Sequence, residues 1–346
     1  MSRTARIGIA GFTGYSGAEL VRILKGHPFV EPVLLEHRAV SDGELPLGED
    51  AARIPFEPQA LRDEGIRAVF LATSLDVSMN AAPWVLEAGV GCIDLSAAFR
   101  LRAVSDYRRW YGVEHACPEL LADAAYGLPE FFREVVKISS LVANPGCYPT
   151  AVNLAVRPLI IEAVLDRAPG IVCDAKSGVS GAGRKPSLKT HYCEVTGNFS
   201  AYSVLDHRHV PEILYTTDLD EHELFFTAQL LPLHRGILET IYVRTAEQLE
   251  WADLRAAYEK YYRDEPFVRL YPEGRMPDLR GIQGTNSCDI GFRVDPETRR
   301  VVIVAAIDNL VKGAAGQAVQ NMNLQLGFPE TAGLLNGGLT GAVSSV

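Results

Sequence analysis

The sequence predicts an α/β protein that combines a parallel-sheet domain with a second, α+β domain. Short apolar strands alternate with helical stretches from Arg6 to Cys147, a pattern typical of parallel strands joined by helices. A glycine-rich turn, Gly11 to Gly17, follows the first strand and opens the first helix. Beyond Ile171 the strands no longer alternate strictly with helices, which indicates a change of architecture. A length of 346 residues suits two domains, or one large one.

The composition argues against several classes of protein. A hydrophobic content of 47% and a charged content of 22% are typical of globular domains. The formal net charge of -10, with no basic run, argues against nucleic-acid binding. The chain has no apolar leader and no uninterrupted apolar window of about 18 residues, so we expect a cytoplasmic protein without membrane contact. Six cysteines without a Cys-x-x-Cys pair predict neither a metal site nor a redox pair.

The first strand, Arg6 to Ala10, carries the start of a possible nucleotide site. Gly8, Gly11 and Gly14 form a G-x-x-G-x-x-G pattern, a variant of the dinucleotide fingerprint. Glycines at such a turn let backbone amides approach a pyrophosphate at the helix N-terminus. Nucleotide binding is therefore the favoured interpretation, and a purely structural turn is the alternative.

The end of the second strand, Val33 to Leu35, bears on the choice of cofactor. In Rossmann-type folds this position meets the adenosine ribose, where an acid suits a free 2'-hydroxyl and an arginine suits a 2'-phosphate. Glu36 and Arg38 are both present, so the residues alone leave NAD and NADP open.

The parallel sheet should continue through two further strands, Val69–Ala72 and Cys92–Leu95, with a helix over Met79–Ala88 between them. Arg100 lies just beyond a strand end and could hold a substrate anion or pair with a local acid. Tyr126–Glu130 is interpreted as a connecting turn before the next strand.

The stretch around Cys147 is the predicted chemical centre. Leu141–Ala143 is predicted as a short buried strand, and Asn144–Gly146 is predicted as a turn that ends it. Thr150 is expected to cap a helix from Ala151 to about residue 165, so that Cys147 lies just before or within its first turn. A helix N-terminus lowers a thiol pKa and can bind an oxyanion, which suits nucleophilic attack on an acyl group. The alternative is a buried cysteine acting as a small hydrophobe.

Histidines downstream supply a base for such a thiol. His207 and His209 stand two residues apart, before a helix expected to start near Pro211. Histidine can deprotonate a thiol and later protonate an oxygen near neutral pH. The spacing does not say which of the two points inward, and His234 is a rival base. The glycine-rich loop Lys176–Lys185 could bind phosphate or serve as a mobile linker.

The remaining elements complete the α+β half. We expect a capping box at Thr245–Gln248 before a helix ending near Tyr262. The predicted strands are Ile171–Ala175, Leu224–Leu231, Gly236–Val243 and a hairpin of Ser287–Val294 with Arg300–Ile307, and the last helix is Ala314–Leu326.

Six motifs follow one another in a fixed order along almost the whole chain. They are GFTGYSGAEL (11–20), NPGCYPT (144–150), KSGVSGAGR (176–184), HRHVPEI (207–213), LPLHRGI (231–237) and DNLVKGAAGQAVQNMN (308–323). This set resembles the N-acetyl-γ-glutamyl-phosphate reductase family of the wider aspartate-semialdehyde dehydrogenase-like group. The resemblance implies NADPH as cofactor, Arg38 near its 2'-phosphate, and a last helix that returns to the nucleotide domain.

The resemblance also implies an activity and an organisation. The reaction is NADPH-dependent reduction of N-acetyl-L-glutamyl 5-phosphate to the 5-semialdehyde through a thioester, in arginine biosynthesis. Two alternatives remain open: a carrier-linked aminoadipyl phosphate reductase of lysine biosynthesis, and a dinucleotide-sensing protein with a dead site. The implied domains are a NADP-binding Rossmann domain, residues 1–146 with 312–346, and a catalytic and dimerisation domain, residues 147–311, in a homodimer or homotetramer.

Finally, the resemblance assigns roles to individual residues. Cys147 and His209 are the implied catalytic pair. The implied substrate-binding residues are Arg100, Arg184 and Glu212. The implied cofactor-binding residues are Gly11, Thr13, Gly14, Tyr15, Ser16, Gly17, Arg38, Gly181 and Asn309.

Overall fold

The computed structural model describes residues 4–36 and 51–335, which form two β-sheets. The first sheet has seven strands, all paired in parallel, and the second has eight strands in mixed orientation. The predicted fold class, a Rossmann-type parallel sheet followed by an α+β half, is therefore confirmed.

The first half of the chain builds the parallel sheet. Its strands are β1 Ala5–Ala10, β2 Val30–Glu36, β3 Ala52–Pro55, β4 Ile66–Leu71, β5 Gly91–Asp94, β6 Ala125–Tyr126 and β7 Leu141–Ala143. The helices between and after them are α1 Tyr15–Lys25, α2 Pro58–Asp63, α3 Leu75–Glu87, α4 Val104–Tyr111, α5 Pro129–Ile138 and α6 Cys147–Ile161.

The strand order of this sheet places its ligand crevice. The order is β3-β2-β1-β4-β5-β7-β6, so the chain reverses direction across the sheet between β1 and β4. Ligands of open α/β sheets bind at such a switch point, outside the carboxyl ends of the strands. Gly11 follows β1 and Ala72 follows β4 at this point. The fold thus brings the glycine-rich turn to the expected crevice.

The second half of the chain builds the mixed sheet. Its strands are β8 Leu165–Asp166, β9 Ile171–Gly178, β10 Ser200–Tyr202, β11 Leu224–Leu231, β12 Ile237–Thr245, β13 Val268–Leu270, β14 Cys288–Asp295 and β15 Arg300–Ile307. Its helices are α7 Tyr192–Val195, α8 Val210–Thr217, α9 Trp251–Tyr262, α10 Leu279–Ile282 and α11 Gly316–Leu326. Single 3-10 turns lie at Pro118–Leu121, Val179–Ala182, Leu188–Thr190 and Glu221–Glu223.

The mixed sheet buries one face under helices. Its order is β10-β11-β9-β12-β15-β14-β13, with β8 paired to β12. Along β12, Ile237, Glu239 and Ile241 are buried while Tyr242 is exposed, as the two-residue period of a strand requires. Residues of α6, α8 and α9 share the buried apolar cluster with this face. The helix α6, which begins at Cys147, is thereby packed onto the second sheet.

The last helix packs on the first sheet. Ala318, Val319 and Met322 of α11 belong to the same buried cluster as Ile7 and Ile9 of β1. After the strands of the second sheet, the chain therefore returns to the first sheet in its last helix, as the sequence resemblance implies.

A π turn, Val311–Ala315, leads into α11, and a buried charge anchors it. Lys312 is fully buried, with its Nζ 2.6 Å from Glu130 Oε1 and 2.8 Å from Gln320 Oε1. Glu130 lies in the first turn of α5, which carries no other acidic residue there. This ion pair fixes the π turn against the first sheet.

The capping box predicted at Thr245–Gln248 is wrong. Thr245 is the last residue of β12, and α9 begins at Trp251. The box that caps α9 is formed by Glu250 and Asp253. The strand extends further than its apolar pattern because Thr245 still pairs with β8.

Two segments predicted as connections contain regular structure. Ala125–Tyr126 is an edge strand paired with β7, and Pro129 begins a helix. A strand of two residues is too short to carry a period in the sequence. The β9 strand continues to Gly178, so the loop predicted from Lys176 starts three residues later than expected.

Candidate active site

Cys147 is the first residue of α6 and directly follows the turn after β7. Gly146 is extended at the helix start, and within the described residues no side chain caps this end of the helix. The predicted position of Cys147, at the start of a helix that follows a strand and a turn, is therefore confirmed. The predicted cap is wrong, because Thr150 lies inside the helix and donates its hydroxyl to the Gly146 carbonyl at 2.9 Å.

The surroundings of the partly exposed Cys147 thiol keep it protonated. Burial of the sulfur raises the pKa of Cys147 to about 11, against the opposing effects of the Arg100 guanidinium and the Tyr148 backbone N–H. The pKa lowering expected from the helix N-terminus is thus outweighed by desolvation. Because the thiolate is the nucleophile, this thiol needs a base.

His209 lies next to the cysteine turn and can supply that base. A Cβ added to Gly146 would lie 2.8 Å from His209 Nε2, so the ring packs directly on the residue before Cys147. His209 is buried, and burial lowers its pKa well below the usual value, with His207 and Arg100 adding to the effect. The imidazole is therefore neutral at physiological pH. No described residue hydrogen-bonds its Nδ1.

His207 is buried as well, and it positions His209. The Nδ1 of His207 accepts a hydrogen bond of 3.1 Å from the His209 backbone N–H, and the two rings lie 4.9 Å apart. The His207 ring also packs edge-on against Tyr148 and Tyr202. Of the two rings, the one that lies against Gly146 is that of His209.

Glu212 joins the cysteine turn to the histidine helix. This fully buried carboxylate accepts hydrogen bonds of 2.7 Å from both the Gly146 backbone N–H and the Tyr126 hydroxyl, through Oε1. Burial and the neighbouring carboxylate raise the pKa of Tyr126 well above its usual value, so the phenol stays a donor. Glu212 therefore holds the backbone immediately before Cys147.

Arg100 reaches the same turn from the end of β5. Its Nε donates to the Asn144 carbonyl at 2.8 Å, its Nη2 donates to the Leu95 carbonyl at 2.9 Å, and its Nη1 lies 3.5 Å from Glu212 Oε2. The guanidinium is buried. The structure thus brings Arg100, Glu212, His209 and Cys147 together, and much of the hydrogen-bonding capacity of Arg100 is used within the protein.

The glycine-rich turn forms a second part of the site. Gly11 has a positive φ of 78°, and a Cβ there would lie 2.2 Å from the Ala72 carbonyl oxygen. A Cβ on Gly17 would lie 2.2 Å from the Gly11 carbonyl oxygen. Only glycine allows these approaches. Gly14 precedes the first turn of α1, which within the described residues has neither a side-chain cap nor an acid.

Residues of the second sheet also reach this turn. The Arg184 side chain donates to the Thr13 carbonyl at 2.6 Å, so the structure places it at the glycine-rich turn. Asn309 accepts from the Gly236 backbone N–H at 2.6 Å and donates to the Ser180 hydroxyl at 3.0 Å, next to Gly181. The exposed His234 packs its ring 6.4 Å from that of Tyr15. The rival base therefore lies at the nucleotide turn.

Comparisons with known proteins support a single family. One model, described as "Semialdehyde dehydrogenase, NAD binding domain", matches residues 6–139, and another, "Semialdehyde dehydrogenase, dimerisation domain", matches residues 147–309. The N-acetyl-gamma-glutamyl-phosphate reductase of Symbiobacterium thermophilum is 48% identical over 351 residues, covering 97% of this chain and 99% of that protein. That of Desulforudis audaxviator is 48% identical over 348 residues, covering 96% and 99%.

The chain belongs to the N-acetyl-γ-glutamyl-phosphate reductase family. Solved structures agree on the fold. Aspartate semialdehyde dehydrogenase II from Vibrio cholerae superposes with a TM-score of 0.71 at 20% identity, covering 94% of this chain and 99% of that chain. The aspartate semialdehyde dehydrogenase with NADP from Candida albicans gives a TM-score of 0.66 at 15% identity, covering 93% and 98%.

The glycine-rich turn of this reductase fits a dinucleotide. The uncapped N-terminus of α1 leaves backbone amides available to a pyrophosphate, and the close packing of Gly11 and Gly17 keeps side chains out of that space. Glu36 is the last residue of β2, and its Oε1 lies 3.6 Å from Arg53 Nη1. Arg38, predicted near the 2'-phosphate, lies outside the described residues.

Within residues 4–36 and 51–335, no group of three or more His, Cys, Asp or Glu side chains is placed to hold a metal ion. No helix there is both long and apolar enough to span a membrane.

Two residues that build this site are not predicted from the sequence. Tyr126, predicted as part of a connecting turn, donates its hydroxyl to Glu212. Gly313 lies against Cys147, since a Cβ there would be 2.8 Å from Cys147 Cβ. Tyr126 and Gly313 lie in motifs that the sequence already singles out, but only the packing reveals what they contact.

Proposed function

We propose that this chain catalyses the NADPH-dependent reduction of N-acetyl-L-glutamyl 5-phosphate to N-acetyl-L-glutamate 5-semialdehyde and phosphate, a step of arginine biosynthesis. The observation that carries the proposal is the neutral His209 packed on the turn that presents the Cys147 thiol. The names of the relatives, at up to 48% identity over nearly the whole chain, support the substrate.

Proton transfer starts the reaction. His209 takes the proton of the Cys147 thiol, and the thiolate attacks the acyl carbon. A carbon–sulfur bond forms, the bond to the phosphate oxygen breaks, and phosphate leaves with the electron pair. The open N-terminus of α6 provides a positive dipole end next to the acyl oxygen. The product of this half-reaction is a thioester on Cys147.

The second half-reaction returns the thiol. When bound at the glycine-rich turn, NADPH supplies the hydride that reduces the thioester. Protonated His209 donates a hydrogen bond to the oxyanion of the resulting thiohemiacetal and can exchange a proton with that oxygen. Collapse breaks the carbon–sulfur bond, releases the semialdehyde and leaves the thiolate, which regains the proton from His209. Arg100 and Glu212 keep the Asn144–Cys147 turn in place throughout.

The proposal assigns different roles to two parts of the chain. Residues up to 146 and the last helix bind the nucleotide, and residues 147–311 carry catalysis and dimerisation. The packing of α11 on the first sheet and the name of the model over residues 147–309 support this division and an assembly of two or four copies. A cytoplasmic location also belongs to the proposal, because all six cysteines are free and the cytosol keeps thiols reduced.

The test is the reverse reaction, phosphate-dependent reduction of NADP⁺ with the semialdehyde. Cys147→Ser should lower the rate at least about a thousandfold while NADPH binding, measured by its fluorescence, is retained. Cys193→Ser, which changes an exposed free cysteine, is the matched control and should behave as the wild type. Wild-type activity in Cys147→Ser would disprove the proposal. The aminoadipate semialdehyde, assayed in parallel, tests the alternative substrate.

A further inference from the structure

Three aromatic rings surround the histidine pair beside the cysteine turn. They belong to Tyr148 of α6, Tyr202 of β10 and Phe226 of β11. The Tyr148 ring lies edge-on to both histidines, with its centroid 5.4 Å from that of His207 and 5.9 Å from that of His209. The Tyr202 and Phe226 rings lie 5.5 and 5.4 Å from that of His207. We call these five side chains the ring cluster.

Tyr202 is the outermost member of the ring cluster. The other four residues are at most 7% exposed, whereas Tyr202 is partly exposed. Its ring contact with the buried His207 therefore covers that imidazole on the solvent side. Burial is the largest cause of the lowered pKa of His207, and the Tyr202 ring contributes to that burial.

A hydrogen bond joins Tyr202 to the helix that begins at the nucleophile. The hydroxyl oxygens of Tyr202 and Tyr148 lie 3.1 Å apart. Because the Tyr148 hydroxyl donates its proton to the Gln229 carbonyl at 3.4 Å, it accepts from Tyr202. Burial raises the pKa of Tyr202 to about 12, so its phenol remains a donor at neutral pH. The pairing of β10 with β11, in which Ala201 lies opposite Gln229, fixes the backbone of Tyr202 next to this acceptor.

The imidazole of His209 depends on such packing for its orientation. A histidine that activates a nucleophile is commonly oriented by a third group that hydrogen-bonds its second nitrogen. Here no described residue hydrogen-bonds the Nδ1 of His209, although that atom is buried. What holds the residue is the bond from its backbone N–H to His207 Nδ1 and the contacts of its ring with those of His207 and Tyr148. Tyr202 touches both of these neighbours.

We propose that Tyr202 is a positioning residue, which keeps the His209 imidazole at the cysteine turn through its contacts with Tyr148 and His207. Its hydroxyl holds the Tyr148 side chain and its ring covers that of His207, and both of those rings contact His209. Because small displacements of a base from the proton it takes are costly to the rate, Tyr202 acts on proton transfer through these two residues. The inference rests on the proposed function in one respect, the role of His209 as the base for Cys147.

The first experiment follows alkylation of Cys147 by iodoacetamide and needs no substrate. All proteins carry Cys193→Ser, because Cys193 is an exposed free cysteine. When the neutral His209 takes the thiol proton, the rate should be nearly independent of pH from about 6 to 8. In Tyr202→Ala this plateau should fall about tenfold, so that the rate instead rises with the thiolate fraction, by up to about tenfold per pH unit. Tyr202→Phe, which keeps the ring but loses the hydroxyl bond, should recover part of the plateau.

Steady-state kinetics of the reverse reaction give a second readout. In Tyr202→Ala, kcat should fall about tenfold, while the KM for phosphate and the KM for the semialdehyde each change less than about twofold. Tyr192→Ala is the matched control, because Tyr192 lies shortly before β10 on α7 and is 76% exposed. This control should match the Cys193→Ser parent in both experiments.

The pH profile of alkylation decides the inference. A parental profile in both Tyr202→Ala and Tyr202→Phe would overturn it, even if kcat fell, because a structural role alone would leave that profile unchanged. Should urea denaturation show that Tyr202→Ala does not fold, the profile of Tyr202→Phe decides alone. Absence of phosphate-dependent activity in a parent that shows the plateau would instead disprove the proposed function, and the role of Tyr202 toward His209 would stand.

Discussion

The carboxylate of Glu212 accepts a 2.7 Å hydrogen bond from the backbone N–H of Gly146, the residue immediately before Cys147. Glu212 lies on α8, one turn after His209, and the turn it holds belongs to the loop after β7. One side chain thus connects the helix that follows His209 to the backbone that precedes Cys147.

Removing the Glu212 carboxylate should destabilise the protein and impair catalysis. Glu212→Ala leaves the Gly146 N–H and the Tyr126 hydroxyl without their acceptor and removes the carboxylate that faces the buried Arg100, which costs about 3–5 kcal/mol of the free energy of unfolding. Glu212→Gln should lose less, because its amide oxygen can still accept from Gly146. Urea denaturation and the rate of NADPH oxidation measure both effects.

The matched control for this change is Glu221→Ala. Glu221 pairs with Arg109 on the surface, where such a pair contributes about 0–1 kcal/mol. If Glu212→Ala were as stable and as active as Glu221→Ala, the hydrogen bonds between Glu212 and the turn would contribute neither to stability nor to catalysis.

Adding a methyl group at Gly313 should obstruct the nucleophile without unfolding the chain. The new Cβ would lie 2.8 Å from Cys147 Cβ and 3.2 Å from Ile307 Cδ1, so the thiol must move. Because small displacements of a reacting group are costly, we expect kcat to fall about a hundredfold in Gly313→Ala. Gly26→Ala, where the nearest atom to the new Cβ is 3.7 Å away, should keep wild-type kcat. Equal kcat values for the two variants would contradict a close contact between Gly313 and Cys147.

Breaking the buried pair of Lys312 and Glu130 should destabilise the fold in a pH-dependent way. Lys312→Met leaves a buried carboxylate unpaired, at a cost of about 3–5 kcal/mol at pH 7. Burial by itself raises the pKa of Glu130, but Lys312 outweighs that effect and the pKa is lowered. The stabilisation is therefore present above the unfolded pKa of about 4.3 and lost as the pH falls through the folded value.

Without Lys312, burial is opposed only by the smaller effects of the hydrogen bonds from the backbone and Gln320, and the pKa of Glu130 should be raised. The loss of stability in Lys312→Met should accordingly be larger at pH 7 than at pH 4, as measured by urea denaturation. The double variant Lys312→Met with Glu130→Met should recover part of the loss. Lys137→Met, which removes an exposed partner of Glu134, is the control. A pH-independent loss would argue against an ion pair.

Protonation of His207 should weaken the fold at mildly acidic pH. Burial, with a smaller contribution from Arg208, lowers the pKa of His207 to about 4, whereas an unfolded histidine titrates near 6.5. The unfolded state binds more protons between these values, so stability falls as the pH drops through that window, by about 3 kcal/mol in total.

His207→Asn removes this titration while its amide oxygen can still accept from the His209 N–H. Its free energy of unfolding should change less between pH 7 and pH 4.5 than that of the wild type, although His209 titrates in both. His222→Asn, at an exposed histidine, should leave the wild-type profile unchanged. A profile for His207→Asn that matches the wild type would contradict the buried, neutral state of His207.

Much of the fold could be predicted because its signals are local. The buried parts of parallel strands, such as Ala68–Leu71 of β4 and the whole of β7, are continuous apolar runs, and the hairpin of β14 and β15 has a turn sequence between two largely apolar strands. Where the prediction failed, the deciding contact was distant. The two-residue strand β6 exists because β7 is beside it, and Thr245 extends β12 because β8 pairs with it.

The sequence by itself determined the fold class, the glycine-rich turn and the position of Cys147 at the start of a helix, because these depend on residue type and short spacing. Only the tertiary structure decided which histidine faces the cysteine turn, that burial raises the Cys147 pKa, and that Arg100 and Arg184 are engaged within the protein. These properties depend on desolvation and on partners more than a hundred residues away along the chain, for Arg100 and Arg184 alike. A residue type reveals what a side chain can do, and packing determines which of those options remains.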